Sequence, residues 1–392
     1  HPENGANLKR LLELRHEYAN LLGYPSYAAY VAEDKMIRTS EAIDAFIKKL
    51  GTIARPRMED DLKGLLARKK EDQKKAKTIE LWDRFYYVGK VRESRFDFDA
   101  RELRPYFPYT QVQDGILALY GELFQLEFLP DPDAPVWHPS VRAYQVKEAG
   151  EVVARFYLDM HPRDGKYQHA AMFPIQTGLE DGRLPVASLV CNFPDPSDGQ
   201  ALMEHKQVVT YFHEFGHLIH HLLATRGNMV KLAGINVEWD FVEAPSQILE
   251  EWAWDPEVLQ RFALHVDTRE PVPADLVKRM KEAEEFGKGV NVMRQVFYTA
   301  YSYYVHARDP GELDLDAFTG EIFERYSPYP DFDGNYVYAN FGHLIGYSAI
   351  YYTYQWSLVI AKDLFTRFQK TGFMDMETAR DYRQTILEPG GT

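Results

Sequence analysis

Two histidines and a glutamate lie within five consecutive residues, at a spacing that can serve a metal ion. His213 and His217 are four residues apart, so on a helix their imidazoles lie one turn apart on the same face. That spacing lets both rings bind one tetrahedral zinc ion. Glu214 lies on the adjacent flank, where its carboxylate can act as a general base. The pattern His-Glu-x-x-His is typical of zinc metalloproteases and predicts metal-assisted hydrolysis of peptide bonds.

The segment around this motif is strongly apolar, which favours a metal site over purely structural histidines. Apolar residues recur at helical spacing through residues 208–223. Polar groups buried in such a helix without partners would cost several kcal/mol, and a bound cation would remove that cost. The neighbouring His220 and His221 are interpreted as structural, because a four-coordinate catalytic zinc ion leaves no place for them.

A catalytic zinc site needs a third protein ligand and an open position. The metzincin motif would place Gly at position 220 and His at position 223, but the chain has His220 and Leu223, which excludes that class. The segment 238–254 has a helical pattern and contains several glutamates. Spacing and apolar neighbours favour Glu243 as the ligand over Glu250. Glu250 stays open as an alternative ligand or as a partner that orients a histidine.

The pattern extends well beyond the five central residues. Residues 212–217 are followed by 240–247, preceded by 157–159 and 162–171, and complemented by a tyrosine-rich stretch at 343–356. Together these segments resemble the thimet oligopeptidase family of zinc metallopeptidases, in its oligopeptidase A-like branch. By that resemblance Glu243 is the third zinc ligand, and the chain holds one zinc ion.

The same resemblance suggests a role for the tyrosine-rich stretch. By this resemblance, His343, Tyr347 and Tyr354 are candidate catalytic residues. The phenol of a tyrosine can donate a hydrogen bond to the oxyanion that forms during hydrolysis. The segment from His343 to Tyr347 is one residue shorter than the family's loop, and this favours Tyr354 as the donor. Tyr352 is interpreted as a core residue.

The fold class is predicted from the resemblance and from the distribution of residue types along the chain. The resemblance implies a mainly α fold, in which two helical lobes flank a substrate channel and a small β-sheet is inserted near the zinc helix. Helical spacing covers residues 1–130, Pro, Gly and short β-branched runs mark 131–200, and helical spacing returns over 201–392. We expect residues 131–392 to form one catalytic unit.

Individual elements can be placed within this outline. Helices are predicted over residues 8–18, over 42–50 with caps near Thr39, and over 116–124. Strands are predicted over 141–146, 151–159 and 186–193.

Composition limits the partners and the compartment. The 392 residues carry a formal net charge of −14 with a sequence pI near 5.4, so nucleic acid and anionic membranes are not expected as partners. No apolar run approaches the roughly 20 residues that a membrane span needs. The single cysteine, Cys191, is expected to be a buried, inert thiol, and a reducing compartment, the cytoplasm, is predicted.

The leading hypothesis is a zinc-dependent endopeptidase that acts on short oligopeptides. A dipeptidyl carboxypeptidase of the same family is one alternative, and a non-catalytic zinc-containing binding protein or inactive fragment is another. Family members are usually longer, so we expect a shortened member or a fragment. The pattern leaves the oligomeric state open.

Overall fold

The computed structural model describes residues 3–391, apart from the side chain of Asp198. The chain is mainly helical and contains a five-stranded mixed sheet, which confirms the expected fold class. The helices are α1 (Glu3–Leu21), α2 (Tyr27–Ala32), α3 (Ser40–Asp72), α4 (Arg84–Phe96), α5 (Tyr109–Phe124), α6 (His205–Leu223), α7 (Ala244–Leu249), α8 (Pro256–Gln260), α9 (Ala274–Glu285), α10 (Lys288–Ala307), α11 (Leu315–Tyr326), α12 (His343–Gly346), α13 (Thr353–Thr371) and α14 (Met376–Tyr382). The strands are β1 (Glu127–Pro130), β2 (Arg142–Glu148), β3 (Glu151–Asp159), β4 (Ala171–Gln176) and β5 (Val186–Val190).

The chain divides into two compact units. Unit 1 comprises the residues up to Phe98 together with Lys281–Trp356, and unit 2 comprises Asp99–Met280 together with the residues from Ser357 on. Each unit is therefore assembled from two separate stretches of the chain. The three consecutive regions predicted from composition follow chain order instead, and their correspondence to domains stays a prediction.

Unit 1 is helical, and α3 and α10 pack against each other within it. Helix α3 begins after Thr39, whose side chain accepts a hydrogen bond from the backbone N–H of Ala42 at 3.2 Å. The helices predicted over 8–18 and 42–50 are thereby confirmed as parts of α1 and α3. Although α3 has 33 residues, no helix among residues 3–391 is both long and apolar enough to cross a membrane.

Aromatic side chains fill much of the core of unit 1. Tyr301 and Tyr352 are fully buried there, beside many further Tyr and Phe rings. The buried position of Tyr352 agrees with its predicted role in the core. The 26 tyrosines and 23 phenylalanines of the sequence thus find part of their explanation in packing, since each ring buries a large apolar area.

Unit 2 contains the sheet, whose strand order is β1-β2-β3-β5-β4. All neighbouring strands are antiparallel except β3 and β5, which run parallel with Asp159 beside Val190. The predicted strands correspond to β2, β3 and β5, whereas β1 and β4 were missed. Strand β1 has only four residues, and β4 contains Pro174, which is tolerated because β4 lies at the edge of the sheet.

Helix α6 packs against β4 and β5 in unit 2. It begins after Glu204, which forms a reciprocal capping box with Gln207. On its buried face, Phe215 stacks on Tyr120 with ring centroids 5.1 Å apart and meets Phe156 edge to face. These contacts fix the rotation of α6, so its polar residues have defined directions.

A buried charge cluster ties the segment between β3 and β4 to the sheet. The Lys166 ammonium group donates hydrogen bonds to the backbone carbonyls of Asp159, His161 and Cys191 at 2.5–2.9 Å. The Arg163 guanidinium forms two hydrogen bonds with the Asp159 carboxylate. Burial raises the pKa of Asp159, but its hydrogen bonds with Arg163, Trp137 and Lys166 lower it by more, well below the usual range. The carboxylate therefore stays ionised and holds the segment that leads into β4.

Candidate metal centre

Helix α6 presents His213 and His217 on one face, as their spacing predicts. The two imidazole rings have centroids 4.9 Å apart and are almost perpendicular, at 84°. Both side chains are partly buried, with 20% and 13% of their surface exposed. The helix thus places two imidazoles that could hold a metal ion side by side, at a point that solvent can still reach.

Glu243 lies immediately before α7 and reaches both histidines. Its Oε2 atom lies 3.3 Å from Nε2 of His213 and 3.2 Å from Nε2 of His217. The close approach of α7 to α6 depends on Gly216, because a Cβ atom there would lie 2.7 Å from the Cα atom of Ser246. The glycine inside the motif therefore has a packing function that brings the Glu243 carboxylate to the histidine pair.

Glu250 lies on the far side of His213. Its Oε1 atom is 2.7 Å from Nδ1 of His213, within hydrogen-bond distance, so the ring has one nitrogen toward Glu250 and the other toward Glu243. This is the arrangement by which a carboxylate orients a metal-binding imidazole. In contrast, Nδ1 of His217 is buried and has no hydrogen-bond partner within residues 3–391.

The donor set fits a divalent cation such as zinc. Ligand atoms of His213, His217 and Glu243 all lie within 4.8 Å of one another, and two nitrogens with one carboxylate oxygen are common ligands of catalytic zinc. Burial raises the pKa of Glu243, but the imidazoles of His217 and His213 lower it by more, so it lies well below the usual range. Burial lowers the pKa of His213, whereas Glu243 and Glu250 raise it by more. The carboxylates therefore create an electrostatic field that attracts a cation.

Glu214 is buried next to the group of His213, His217 and Glu243 and is not a member of it. Only 7% of its surface is exposed, and this burial raises the pKa of its carboxyl group. The backbone N–H of Met172, in β4, donates a hydrogen bond to the Glu214 carboxylate. A carboxyl group in this setting can hold a proton near neutral pH more readily than an exposed glutamate can.

His343, Tyr347 and Tyr354 lie together in unit 1. The His343 ring has its centroid 5.5 Å from that of Tyr347 and 5.9 Å from that of Tyr354, and the two tyrosine rings stack at 5.1 Å. Between them Ser348 adopts a positive φ of 48°, an uncommon conformation for a residue with a side chain. The structure thus brings the three predicted residues into one cluster within unit 1.

The other predicted residues occupy the structural positions expected of them. His220 and His221 are buried in α6, with Nε2 of His221 3.1 Å from the backbone carbonyl of Gln176. Cys191 is fully buried, and burial raises the pKa of its thiol well above the usual value. This placement agrees with an inert thiol.

Sequence reasoning missed the contributions of Met172 and Gly216. Met172 acts through its backbone N–H. Every residue except proline has this group, so the residue type at position 172 does not indicate the contact. Gly216 stands within the motif, and its place between two ligands could have indicated a close approach of another segment. The sequence could not separate an orienting role of Glu250 from a ligand role, because spacing along the chain does not fix long-range distances.

Comparisons with known proteins show the family of the chain. The chain matches the pattern of peptidase family M3 over residues 1–392. It is 35% identical over 404 residues to oligopeptidase A from Escherichia coli strain K12, a match that covers 100% of the chain and 59% of the relative. It is 34% identical over 402 residues to a dipeptidyl carboxypeptidase from Salmonella typhimurium, covering 99% and 58%.

A yeast relative and a solved structure extend the comparison. Saccharolysin from Saccharomyces cerevisiae is 34% identical over 415 residues, covering 100% of the chain and 58% of the relative. A crystal structure of a protein assigned as an oligoendopeptidase F superposes with a TM-score of 0.58 at 13% identity, covering 100% of the chain and 59% of that protein. At this identity the superposition supports the fold alone. The chain spans about three fifths of the length of these relatives.

Proposed function

Because the chain belongs to peptidase family M3, we propose that it is a zinc metallopeptidase that hydrolyses internal bonds of short peptides. The observation that supports this most directly is the convergence of His213, His217 and Glu243 on one point, with Glu214 beside them. A structural cluster would not need two Nε2 atoms and a carboxylate oxygen to face one another.

In this proposal, His213, His217 and Glu243 hold one zinc ion per chain. When bound, zinc supplies Lewis acidity, which polarises the scissile carbonyl and lowers the pKa of water. Glu250 keeps the His213 ring oriented through the 2.7 Å contact with Nδ1. Gly216 keeps α7 close enough for Glu243 to reach the histidines.

Glu214 is the proposed general base. Its carboxylate accepts a proton from the water that attacks the scissile carbonyl, and then delivers that proton to the leaving amine. The hydrogen bond from the Met172 backbone fixes the carboxylate, and its burial favours the protonated form that must persist between the two transfers. This role leaves both histidines free to act as ligands.

Tyr354, with Tyr347 and His343 as further candidates, is proposed to donate a hydrogen bond to the oxyanion. A neutral phenol is suited to this task because it stabilises negative charge that develops in the transition state. The cluster formed by the three rings holds each of them in a defined orientation.

The cleavage mode, endopeptidase or dipeptidyl carboxypeptidase, is a separate proposal, because the relatives carry two different names. Oligopeptidase A and dipeptidyl carboxypeptidase are 35% and 34% identical to the chain, so identity does not separate them. We propose the endopeptidase mode, and cleavage of one peptide with a free and an amidated C-terminus tests it. Equal rates support the endopeptidase, whereas loss of cleavage on amidation indicates the carboxypeptidase.

The cytoplasmic location stays a prediction.

A quenched fluorescent peptide tests the activity itself. We expect the purified chain to bind one zinc ion, to cleave the peptide, and to lose activity with a chelator and regain it with zinc. Stoichiometric zinc without cleavage would contradict the enzyme and favour a non-catalytic zinc-containing protein. Cleavage that a chelator does not affect would contradict the metal mechanism.

A further inference from the structure

Unit 1 contains a large aromatic cavity that the proposed catalytic groups do not use. Its volume is about 930 Å³, within the range of small-molecule and peptide sites. Its walls include the rings of Tyr298, Tyr329, Phe332 and Tyr336, and Arg294 contributes a positive charge. Tyr336 is 58% exposed, so an aromatic surface at the cavity is open to solvent.

The charge in this cavity is unusual for an acidic chain. Arg294 is half-buried, and its guanidinium donates only a long hydrogen bond, 3.5 Å, to the Tyr298 hydroxyl. Arg84 is not part of the cavity wall but lies near Arg294; it is also half-buried, and its Nε atom is buried without a hydrogen-bond partner in the described part of the chain. Neither arginine forms an ion pair with a carboxylate within residues 3–391. In a chain with 59 acidic residues, this leaves an uncompensated positive region.

Another arginine of unit 1, Arg308, shows a guanidinium group whose charge is compensated by a carboxylate. Arg308 forms two parallel hydrogen bonds of 2.7 Å with the Glu321 carboxylate. By contrast, burial and the neighbouring charge of Arg294 lower the pKa of Arg84. Arg84 and Arg294 therefore repel each other, and an anionic ligand bound to Arg294 in the cavity would compensate this charge as Glu321 compensates Arg308.

We propose that this cavity binds the free carboxylate of a short peptide that ends in an aromatic residue. The guanidinium group of Arg294 matches the geometry of a carboxylate, and the rings of the wall match an aromatic side chain. Arg84 adds a second positive charge that favours the anionic terminus. All of these residues lie in unit 1, and binding requires no hydrolysis, so this proposal and the proposed activity can fail separately.

Calorimetric titration of the zinc-loaded protein with N-acetyl-Ala-Phe and with its C-terminal amide tests the site. We expect the free acid to bind at least about tenfold more tightly than the amide, since a hydrogen bond to a charged group is worth that much. Arg294→Met should weaken binding of the acid by a similar factor and leave binding of the amide unchanged. Arg294→Lys should lie between the two.

Arg10→Met is the matched control, because Arg10 is an exposed arginine of unit 1 that pairs with Glu13. It should bind the acid as the unchanged protein does. Melting temperatures establish that each variant is folded, and if Arg294→Met is not, loss of acid binding in Tyr336→Ala tests the aromatic wall. Undetectable binding, equal binding of acid and amide, or equal binding of inorganic phosphate would each overturn the proposal.

Discussion

Two histidines, His213 in unit 2 and His306 in unit 1, have opposite surroundings. In unit 2, His213 contacts Glu243 and Glu250, and these carboxylates raise its pKa although burial opposes the shift. In unit 1, burial lowers the pKa of His306 to about 3. Its Nδ1–H donates to the backbone carbonyl of Ser302 at 2.8 Å, and its Nε2 accepts from Arg15 at 2.9 Å. Burial lowers the pKa of both histidines, and the carboxylate neighbours of His213 reverse the direction of the shift there.

The comparison also separates two uses of a buried polar group. His306 has a hydrogen-bond partner for each ring nitrogen, as buried polar groups usually do. The pair on α6 instead directs both Nε2 atoms at one carboxylate oxygen. Such a convergence leaves negative charge in excess, and a bound cation would balance it.

Removal of a proposed ligand is expected to have the largest effect. His213→Ala, His217→Ala or Glu243→Ala should each leave no zinc after dialysis and no peptidase activity, because a three-ligand site cannot lose one. Atomic absorption measures the metal. His306→Gln and His205→Gln are the controls, since both are buried histidines outside the group, and both should retain one zinc ion per chain. Stoichiometric zinc in Glu243→Ala would transfer the ligand role, with Glu250 the first candidate.

Glu214→Gln should keep zinc and the fold but reduce kcat by about 10²–10⁴, because an amide cannot accept the proton. Metal content, melting temperature and kcat measured on the same preparation separate the roles. If the variant loses its zinc, Glu214 is a ligand or an anchor for the fold, and the general base lies elsewhere.

Tyr354→Phe tests whether Tyr354 is a catalytic residue or only a packing residue. An oxyanion donor is worth about 10²–10³ in kcat, with KM little changed. A tyrosine with only a structural role would instead lower stability by about 1 kcal/mol and leave kcat unchanged. Tyr352→Phe, at a fully buried position, is the matched control. Wild-type kcat in both Tyr354→Phe and Tyr347→Phe would direct attention to His343.

Glu250→Gln should weaken zinc affinity or activity by about 10–100-fold, the usual effect of removing a carboxylate that orients a ligand. Glu251→Gln is the neighbouring control, because Glu251 forms an ion pair with Lys362 rather than with a histidine. Zinc affinity is measured by competition with a chelator. Equal affinities in the two variants would remove the orienting role from Glu250.

The smallest expected effect concerns His306 and acid stability. Because its pKa is lowered in the folded protein, the unfolded chain binds a proton first, and stability falls as pH decreases from about 6.5 toward 3. The loss reaches about 1.4 kcal/mol for each pH unit. His306→Gln should reduce the slope of urea-unfolding free energy against pH by about that amount, with the exposed His169→Gln as control. An unchanged slope would show that His306 is charged in the folded protein.

Much of the local structure could be predicted, because it depends on short-range spacing. The four-residue interval between His213 and His217 places both rings on one helix face whatever the rest of the fold does. Thr39 and the apolar periodicity around it predict the start of α3 in the same way. The short strand β1 and the proline-containing edge strand β4 escaped prediction, because pairing with neighbours rather than local pattern defines them.

The sequence alone determined that the imidazoles of His213 and His217 share one helical face with Glu214 on the adjacent flank, since helix geometry fixes their separation. Only the tertiary structure decided that Glu243 faces both Nε2 atoms while Glu250 contacts Nδ1 of His213. It also decided that a backbone N–H from β4 holds Glu214, and that Arg84 lies near Arg294 while neither forms an ion pair with a carboxylate among the described residues. These contacts join residues far apart in the chain, and packing between elements sets their distances.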